Sequence, residues 1–278
     1  MTHTQFDWTA MDGLKLYAQC WGPQQLPRAV VCLVHGLGEH SGRYAHVAAA
    51  FNQAGYALFT MDLRGHGKST GQRGDFPSTD ALLGDIDLLL DAAEKRFPGR
   101  PRFLYGHSLG GILVLYYTLR RRPPLAGVVA TSPGLITALH QQTFKVTVAR
   151  VLGTFLPTLA MSSGLENAAL ARDPDVVRVY GQDPLVHDQA TLRAGNLLLG
   201  MTRWTLDHAG EFPLPLLLVH GSADRIAFPE SSVRFAELAR GECTLKVWEG
   251  LYHETHNEPE KEQVLQYTME WLGTHLPV

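Results

Sequence analysis

Charge is scarce in this chain. Only 18% of its 278 residues are Asp, Glu, Lys or Arg, below the roughly 25% of an ordinary globular protein, and 24 basic against 27 acidic side chains leave a net charge of −3. So even a balance excludes a global electrostatic footprint for nucleic acid, and no nucleic-acid partner is expected. The one basic cluster, Arg120-Arg121-Arg122, ends a predicted helix, where cations complement the dipole and stay solvated. Cysteine is equally sparse. Cys20, Cys32 and Cys243 show no pairing spacing, which excludes a disulfide framework and reads as buried thiols in a reducing compartment. No run of about 18 apolar residues occurs, so nothing is expected to span a membrane. Met1 to Trp8 has neither the basic n-region nor the apolar h-region of a secretory signal, which makes the cytoplasm the expected location. Two motifs are missing as well. There is no G-x-x-x-x-G-K-[ST] phosphate loop, and His253-Glu254-Thr255-His256 misses the helical zinc spacing H-E-x-x-H by one residue. No cofactor and no metal are expected.

What the chain does contain is apolar residue, at 45% of the total, arranged in short runs. Period and punctuation predict strands near 4–10, 14–20, 28–34, 56–61, 101–107, 125–131, 214–220 and 243–248. Helices are predicted near 43–54, 79–96, 109–121, 231–240 and 259–275. A hairpin followed by strand-helix alternation implies an α/β class: a mostly parallel sheet covered by helices on both faces. The alternation stops between Ser132-Pro133 and Phe212-Pro213, where no strand signal appears. Residues 1–133 and 213–278 therefore read as the core, and 134–212 as a helical insertion. Within it Phe144 to Leu156, Leu159 to Met161 and Leu192 to Leu206 are strongly apolar, helical pieces.

The most informative segment is Tyr105-Gly106-His107-Ser108-Leu109-Gly110-Gly111, which has the form G-x-S-x-G. The strand-like Arg102 to His107 runs into it and the helical Leu109 to Leu119 leaves it, as a serine on a sharp, exposed strand-to-helix turn requires. Such a serine is inert without a base, so an acid and a histidine should follow, each just after a strand. Leu214 to His220 runs into Gly221-Ser222-Ala223-Asp224, and Cys243 to Trp248 runs into Glu249-Gly250-Leu251-Tyr252-His253. A plain turn at Ser108 would predict neither. The other loop histidines, His35, His66, His107 and His256, read as structural, with His256 in reserve should its segment be a helical turn. Asp173, Asp183 and Asp207 fall in the insertion, where caps and turns are their usual work.

The chemistry also needs two N–H donors for a developing oxyanion. Leu109, following the serine at a helix start, supplies one. The strand Arg28 to Val34 and the loop His35-Gly36-Leu37-Gly38-Glu39-His40 supply the other at Leu37. A rival reading of that loop is Gly36-x-Gly38-x-x-Ser41 as a dinucleotide fingerprint with Asp62 closing the next strand. It is disfavoured because the third small residue is Ser, and because Glu39 would sit beside the pyrophosphate.

Taken together, His35-Gly-Leu-Gly-Glu-His-Ser-Gly-Arg-Tyr44, Met61-Asp-Leu-Arg-Gly-His-Gly-Lys-Ser69, Gly106-His-Ser-Leu-Gly-Gly111, Gly221-Ser-Ala-Asp-Arg225 and Tyr252-His253 resemble the monoacylglycerol lipase and lysophospholipase branch of the α/β-hydrolase superfamily over most of the chain. The resemblance implies an α/β-hydrolase fold with a helical cap over residues 134–212. It implies a Ser108, Asp224, His253 triad and oxyanion donors at Leu37 and Leu109. Glu39, Arg43, Tyr180 and His256 match positions around the polar head-group end of the relatives' pocket. The large apolar residues of the insertion, among them Phe144, Leu152, Phe155 and Leu198, are expected to line an acyl channel, where each buried methylene contributes about 0.8 kcal/mol. The expected function is hydrolysis of small lipid-like esters, foremost monoacylglycerols. Lysophospholipase, thioesterase, peptidase and non-catalytic binding protein stand as alternatives. The expected partner is the lipid ester itself, with transient membrane or micelle contact through the cap.

Overall fold

The strand-helix alternation folds, in a computed structural model that describes residues 1–137 and 151–277, around one eight-stranded sheet. Its strands are β1 (Thr2–Thr9), β2 (Lys15–Gly22), β3 (Val30–Val34), β4 (Ala57–Met61), β5 (Arg102–His107), β6 (Gly127–Thr131), β9 (Leu216–Gly221) and β10 (Cys243–Trp248). They lie in the order β1-β2-β4-β3-β5-β6-β9-β10. The β1–β2 hairpin joins antiparallel to β4, and every pairing from β4 to β10 is parallel. Residues of the central strands are mostly apolar because both faces are covered. In β3, Val30, Cys32 and Val34 belong to one hydrophobic cluster and Val31 and Leu33 to the other, as the two-residue period requires.

Helices α1 (Ala45–Gln53) and α7 (Lys261–Thr274) cover the second face with Val47, Phe51, Val264, Leu265 and Leu272. The first face carries α2 (Thr79–Arg96), α3 (Leu109–Arg121) and α6 (Pro229–Leu238). Ser78 caps α2 by accepting the Ala81 amide, an interaction of about 1 kcal/mol. Helix α6 begins two residues before its predicted start at 231. Pro229 has no N–H to lose and presets the helical φ, so it opens the first turn.

The insertion between β6 and β9 holds α4 (Pro174–Gln182) and α5 (Leu192–Asp207), and residues 151–155 are helical. The expectation of helices alone is corrected here. Ala160–Ser162 (β7) and Gln189–Thr191 (β8) pair antiparallel as a separate two-stranded sheet, so Leu159 to Met161 is not a helix. Three residues per strand are too few to leave an alternating pattern. Asp173 caps α4 through the Asp175 amide, and Asp183 accepts the Leu185 amide, the local roles expected of them. Cys20 and Cys32 are buried, whereas Cys243 on the edge strand β10 is only half-buried.

Candidate active site

Ser108 stands between β5 and α3 at φ 53° and ψ −112°, a left-handed backbone that a side chain rarely adopts. Its neighbours make the turn possible. A Cβ on Gly106 would collide with the Gly110 carbonyl, and one on Gly110 with the Val34 and His35 carbonyls of the adjoining strand end. The strain is held by hydrogen bonds: the Ser108 amide donates to Thr131 O at 2.9 Å, and Ser108 O accepts from Ile112 N and Gly134 N at 3.1 and 3.2 Å.

His253 and Asp224 reach Ser108 from the loops after β10 and β9, with β6 lying between β5 and β9. His253 Nδ1 lies 2.7 Å from Asp224 Oδ2 and Nε2 lies 2.9 Å from Ser108 Oγ. The loops that carry the acid and the histidine are fastened together, since Ala223 N donates to Leu251 O and a Cβ on Gly221 would strike the Leu251 and Tyr252 carbonyls. Asp224 is buried and accepts three further hydrogen bonds besides the one from His253: Ile226 N and Ala227 N reach Oδ1, and His220 Nε2 reaches Oδ2 at 3.1 Å. Burial by itself would raise its pKa, but the facing His253 and the hydrogen bonds from His220 and His253 outweigh that and hold the carboxyl below the usual carboxylate range. Burial pulls the His253 pKa down, and the Asp224 charge and hydrogen bond overcome it, so the imidazole ends above its ordinary value.

Two amides of the adjoining segments are held in fixed direction. Because a trans peptide is planar, the bond that holds one residue's carbonyl also aims the next residue's N–H. The two bonds on Ser108 O aim the Leu109 amide in this way. His35 Nδ1 donates to Gly36 O at 2.7 Å and aims the Leu37 amide, while the Gly36 amide is taken by Glu39 Oε1 at 2.6 Å. Neither the Leu37 nor the Leu109 amide donates to an acceptor among the described residues. Beside Leu37 opens a cavity of about 250 Å³ whose other walls come from the insertion, among them Asn167, Tyr180, Asp183 and His187.

The remaining expected residues divide. Arg43 forms a bidentate pair with Glu254 at 2.6 and 2.7 Å, contacts Glu39 at 2.7 Å and stacks over the Tyr180 ring at 4.6 Å. Burial would lower its pKa, but Glu254 and Glu39 hold it above the usual range. Tyr180 lines the cavity. Glu39 and His256 are both buried, and neither lines that cavity. Glu39 is committed to Gly36 N, Arg43 and the Tyr44 hydroxyl. His256 lies in a 3-10 turn, packed flat against Tyr44 and edge-on to His107. Burial among neighbouring cations pushes its pKa down to about 3, so it is a neutral packing residue. Leu152 and Phe155 are 43% and 78% exposed. Leu198 is half-buried against the core, and Phe144 lies outside the described residues.

A family model described as serine aminopeptidase, S33 matches residues 25–260. A monoacylglycerol lipase of Mycolicibacterium smegmatis is 36% identical over 278 residues, 99% of this chain and 99% of that protein. The chain belongs to this family of α/β-hydrolases. A solved structure titled as the monoacylglycerol lipase of Paleococcus ferrophilus has 38% identity and a TM-score of 0.86, covering 94% of this chain and 99% of that one. An uncharacterized abhydrolase domain-containing protein of Dictyostelium discoideum is 38% identical over 98% of this chain. This chain spans only 29% of that protein's length.

One residue of this α/β-hydrolase site went unread in the sequence. His220, fully buried at the end of β9, shares its Nε2–H between Asp224 Oδ2 and Ala227 O while Nδ1 accepts from Ser232 Oγ at 2.7 Å. The signal was its place, four residues before the acid on the same strand-to-loop junction.

Proposed function

We propose that the chain is a serine ester hydrolase that cleaves monoacylglycerols through an acyl-enzyme on Ser108. The observation that carries the reading is the hydrogen-bonded series Asp224, His253, Ser108 opposite two aimed, unclaimed amides. His253 Nε2 takes the Ser108 proton as Oγ attacks the ester carbonyl, and Asp224 keeps the imidazole in the Nδ1–H tautomer and stabilises the imidazolium. The carbonyl oxygen, now an alkoxide, accepts from Leu37 N–H and Leu109 N–H. Collapse expels the glycerol alkoxide, which leaves with the proton from His253. A water then repeats the cycle on the acyl-enzyme and releases the fatty acid. The polar cavity beside Leu37 suits a glycerol-sized alcohol, and relatives named monoacylglycerol lipases at 36% and 38% identity support that substrate class. Residues 134–212 act as the cap. Val151, Leu152, Phe155, Leu156, Leu159 and Met161 form its exposed apolar run, and transient contact of that run with a micelle or membrane surface presents the substrate. Among the described residues no helix is long and apolar enough to cross a membrane. The thiols of Cys20 and Cys32, both raised by burial to about 12, fit a reducing cytoplasm.

The description of the matched family model favours a second reading, an aminopeptidase, since a triad of this kind also attacks amides. The test is turnover of 1-monoacylglycerols and p-nitrophenyl esters of graded chain length beside aminoacyl p-nitroanilides. Ester turnover that rises beyond four carbons and falls by up to about a million-fold in Ser108→Ala, with Tm unchanged, is expected. Faster turnover of the anilides would give the site to the second reading. A Ser108→Ala variant with more than about a tenth of wild-type kcat would remove both.

A further inference from the structure

The oxyanion strip is fastened to the insertion as well as to the core. Gly38, next after Leu37, has φ 78°, and its carbonyl accepts the His187 amide at 2.9 Å. The approach is so close that a Cβ on Gly38 would collide with the His187 carbonyl. The His187 side chain is tied down in turn. Its Nδ1 accepts from Gln189 N at 3.2 Å, which leaves the proton on Nε2 to donate to Gly65 O at 3.1 Å in the loop after β4. The ring packs against His66 at 4.6 Å, and His66 packs against His35 at 5.4 Å. His35 is the residue whose Nδ1–H holds Gly36 O and so aims the Leu37 amide; its Nε2 accepts from Leu63 N at 2.9 Å. The strip Gly36-Leu37-Gly38 is thereby gripped from both ends, and one grip belongs to the insertion.

From this we infer that His187 is a positioning residue for the oxyanion hole: the insertion, in addition to shaping the space for substrate, holds the Leu37 amide in its transition-state direction. The inference rests on the reading of Leu37 N–H as an oxyanion donor. A direct consequence follows for how catalysis depends on the insertion. Loosening it weakens the chemical step itself, on every ester, because an amide aimed off the developing charge loses most of its worth. An insertion that only contacted substrate would leave an ester too small to reach it unaffected.

The test compares wild type with His187→Ala and His187→Gln on p-nitrophenyl acetate, whose two-carbon acyl group is too short to meet the apolar run of the insertion; its alcohol part can enter the cavity that His187 lines, so kcat, ketone affinity and amide exchange carry the test. His187→Ala is expected to lower kcat by about tenfold or more, within the 100- to 1,000-fold that loss of a whole donor costs, while KM changes by less than about twofold. Binding of a trifluoromethyl ketone, which adds to Ser108 as a tetrahedral oxyanion, should weaken by the same factor as kcat. His187→Gln, whose amide can still donate to Gly65 O, should recover most of the rate, which a mere loss of packing volume would not require. Amide hydrogen exchange over residues 36–40 should quicken in His187→Ala and return in His187→Gln. If His187→Ala leaves acetate kcat and ketone affinity within about twofold of wild type and alters only long-chain substrates, the insertion does not hold the amide and the inference falls. Should His187→Ala fail to fold, exchange and kcat in His187→Gln decide, with unprotected 36–40 at full wild-type kcat overturning it. Failure of the Leu37 reading looks different, because exchange over residues 36–40 would then quicken in His187→Ala with ketone affinity unmoved, and failure of the ester-hydrolase reading differs again, because Ser108→Ala would then keep its acetate turnover.

Discussion

Ser108 has its φ in the left-handed region, and what makes the hydroxyl useful is a single neutral nitrogen 2.9 Å away. Activity therefore follows the ionisation of His253. The base must be unprotonated to accept the serine proton, so kcat/KM rises with pH through the His253 pKa. Since Asp224 lifts that pKa, the acid limb is expected above the ordinary histidine value of about 6.5. In Asp224→Asn the charge that opposes burial is gone. The His253 titration, followed by imidazole NMR, should move below that of wild type, and kcat should fall by about 10,000-fold as the tautomer is lost. An upward move would mean that the Asp224 charge is not what lifts the His253 pKa. The same shifts bear on stability with opposite signs. The raised His253 pKa contributes stability at low pH that is lost as pH rises through it, while the depressed Asp224 pKa contributes above about pH 4 and is lost as pH falls.

At the scale of elements, the site is where loops from separate strands meet. Arg43, just before α1, joins Glu39 of the β3 loop to Glu254 of the β10 loop, and all three are almost fully shielded. Arg43→Ala would leave two buried carboxylates without their cation, so a loss of about 3–5 kcal/mol in urea unfolding is expected, partly restored in Arg43→Lys. Stability within about 1 kcal/mol of wild type together with a higher KM for monoacylglycerol would instead make Arg43 a direct head-group ligand. This contrast marks what the sequence could and could not disclose. Ser108, Asp224 and His253 were legible because each stands at a strand end in a fixed order, a property of the local pattern. The burial of Glu39 and His256 was not, because it depends on Arg43 meeting Glu254 some two hundred positions later. The exposure of Leu152 and Phe155 was not legible for a related reason: an apolar residue announces that it avoids water, not which surface relieves it. The strands β7 and β8 were too short to show a period.

For the whole molecule, the insertion has two unlike parts. Residues 167–194 are pinned to the core by His40–Asp183, Arg172–Glu258, Arg193–Asp75 and the backbone bond from Glu254 N to Leu170 O. The run from Val151 to Met161 instead displays large apolar side chains to solvent. Replacing Leu152 and Phe155 by Ser should therefore slow hydrolysis of monoacylglycerol carried in phosphatidylcholine vesicles by about tenfold or more, since each side chain forfeits ~1.5 kcal/mol or more of interfacial burial. Turnover of dissolved p-nitrophenyl butyrate should stay as in wild type. Equal losses on both substrates would show that the run supports the fold rather than the encounter with a surface.

The chain leaves the sheet for this insertion at β6 and returns at β9, yet those two strands are immediate neighbours, paired from Val128 with Leu216 onward and locked by Ser132 N to Val219 O. The sheet is thus a socket whose rim closes whatever is plugged into it. A plug of another length or shape can be exchanged without reordering a strand, so new substrate ranges are open to recombination at a single point. Beyond the ion pairs already named, the exchange carries the condition that the incoming segment must again present an amide to Gly38.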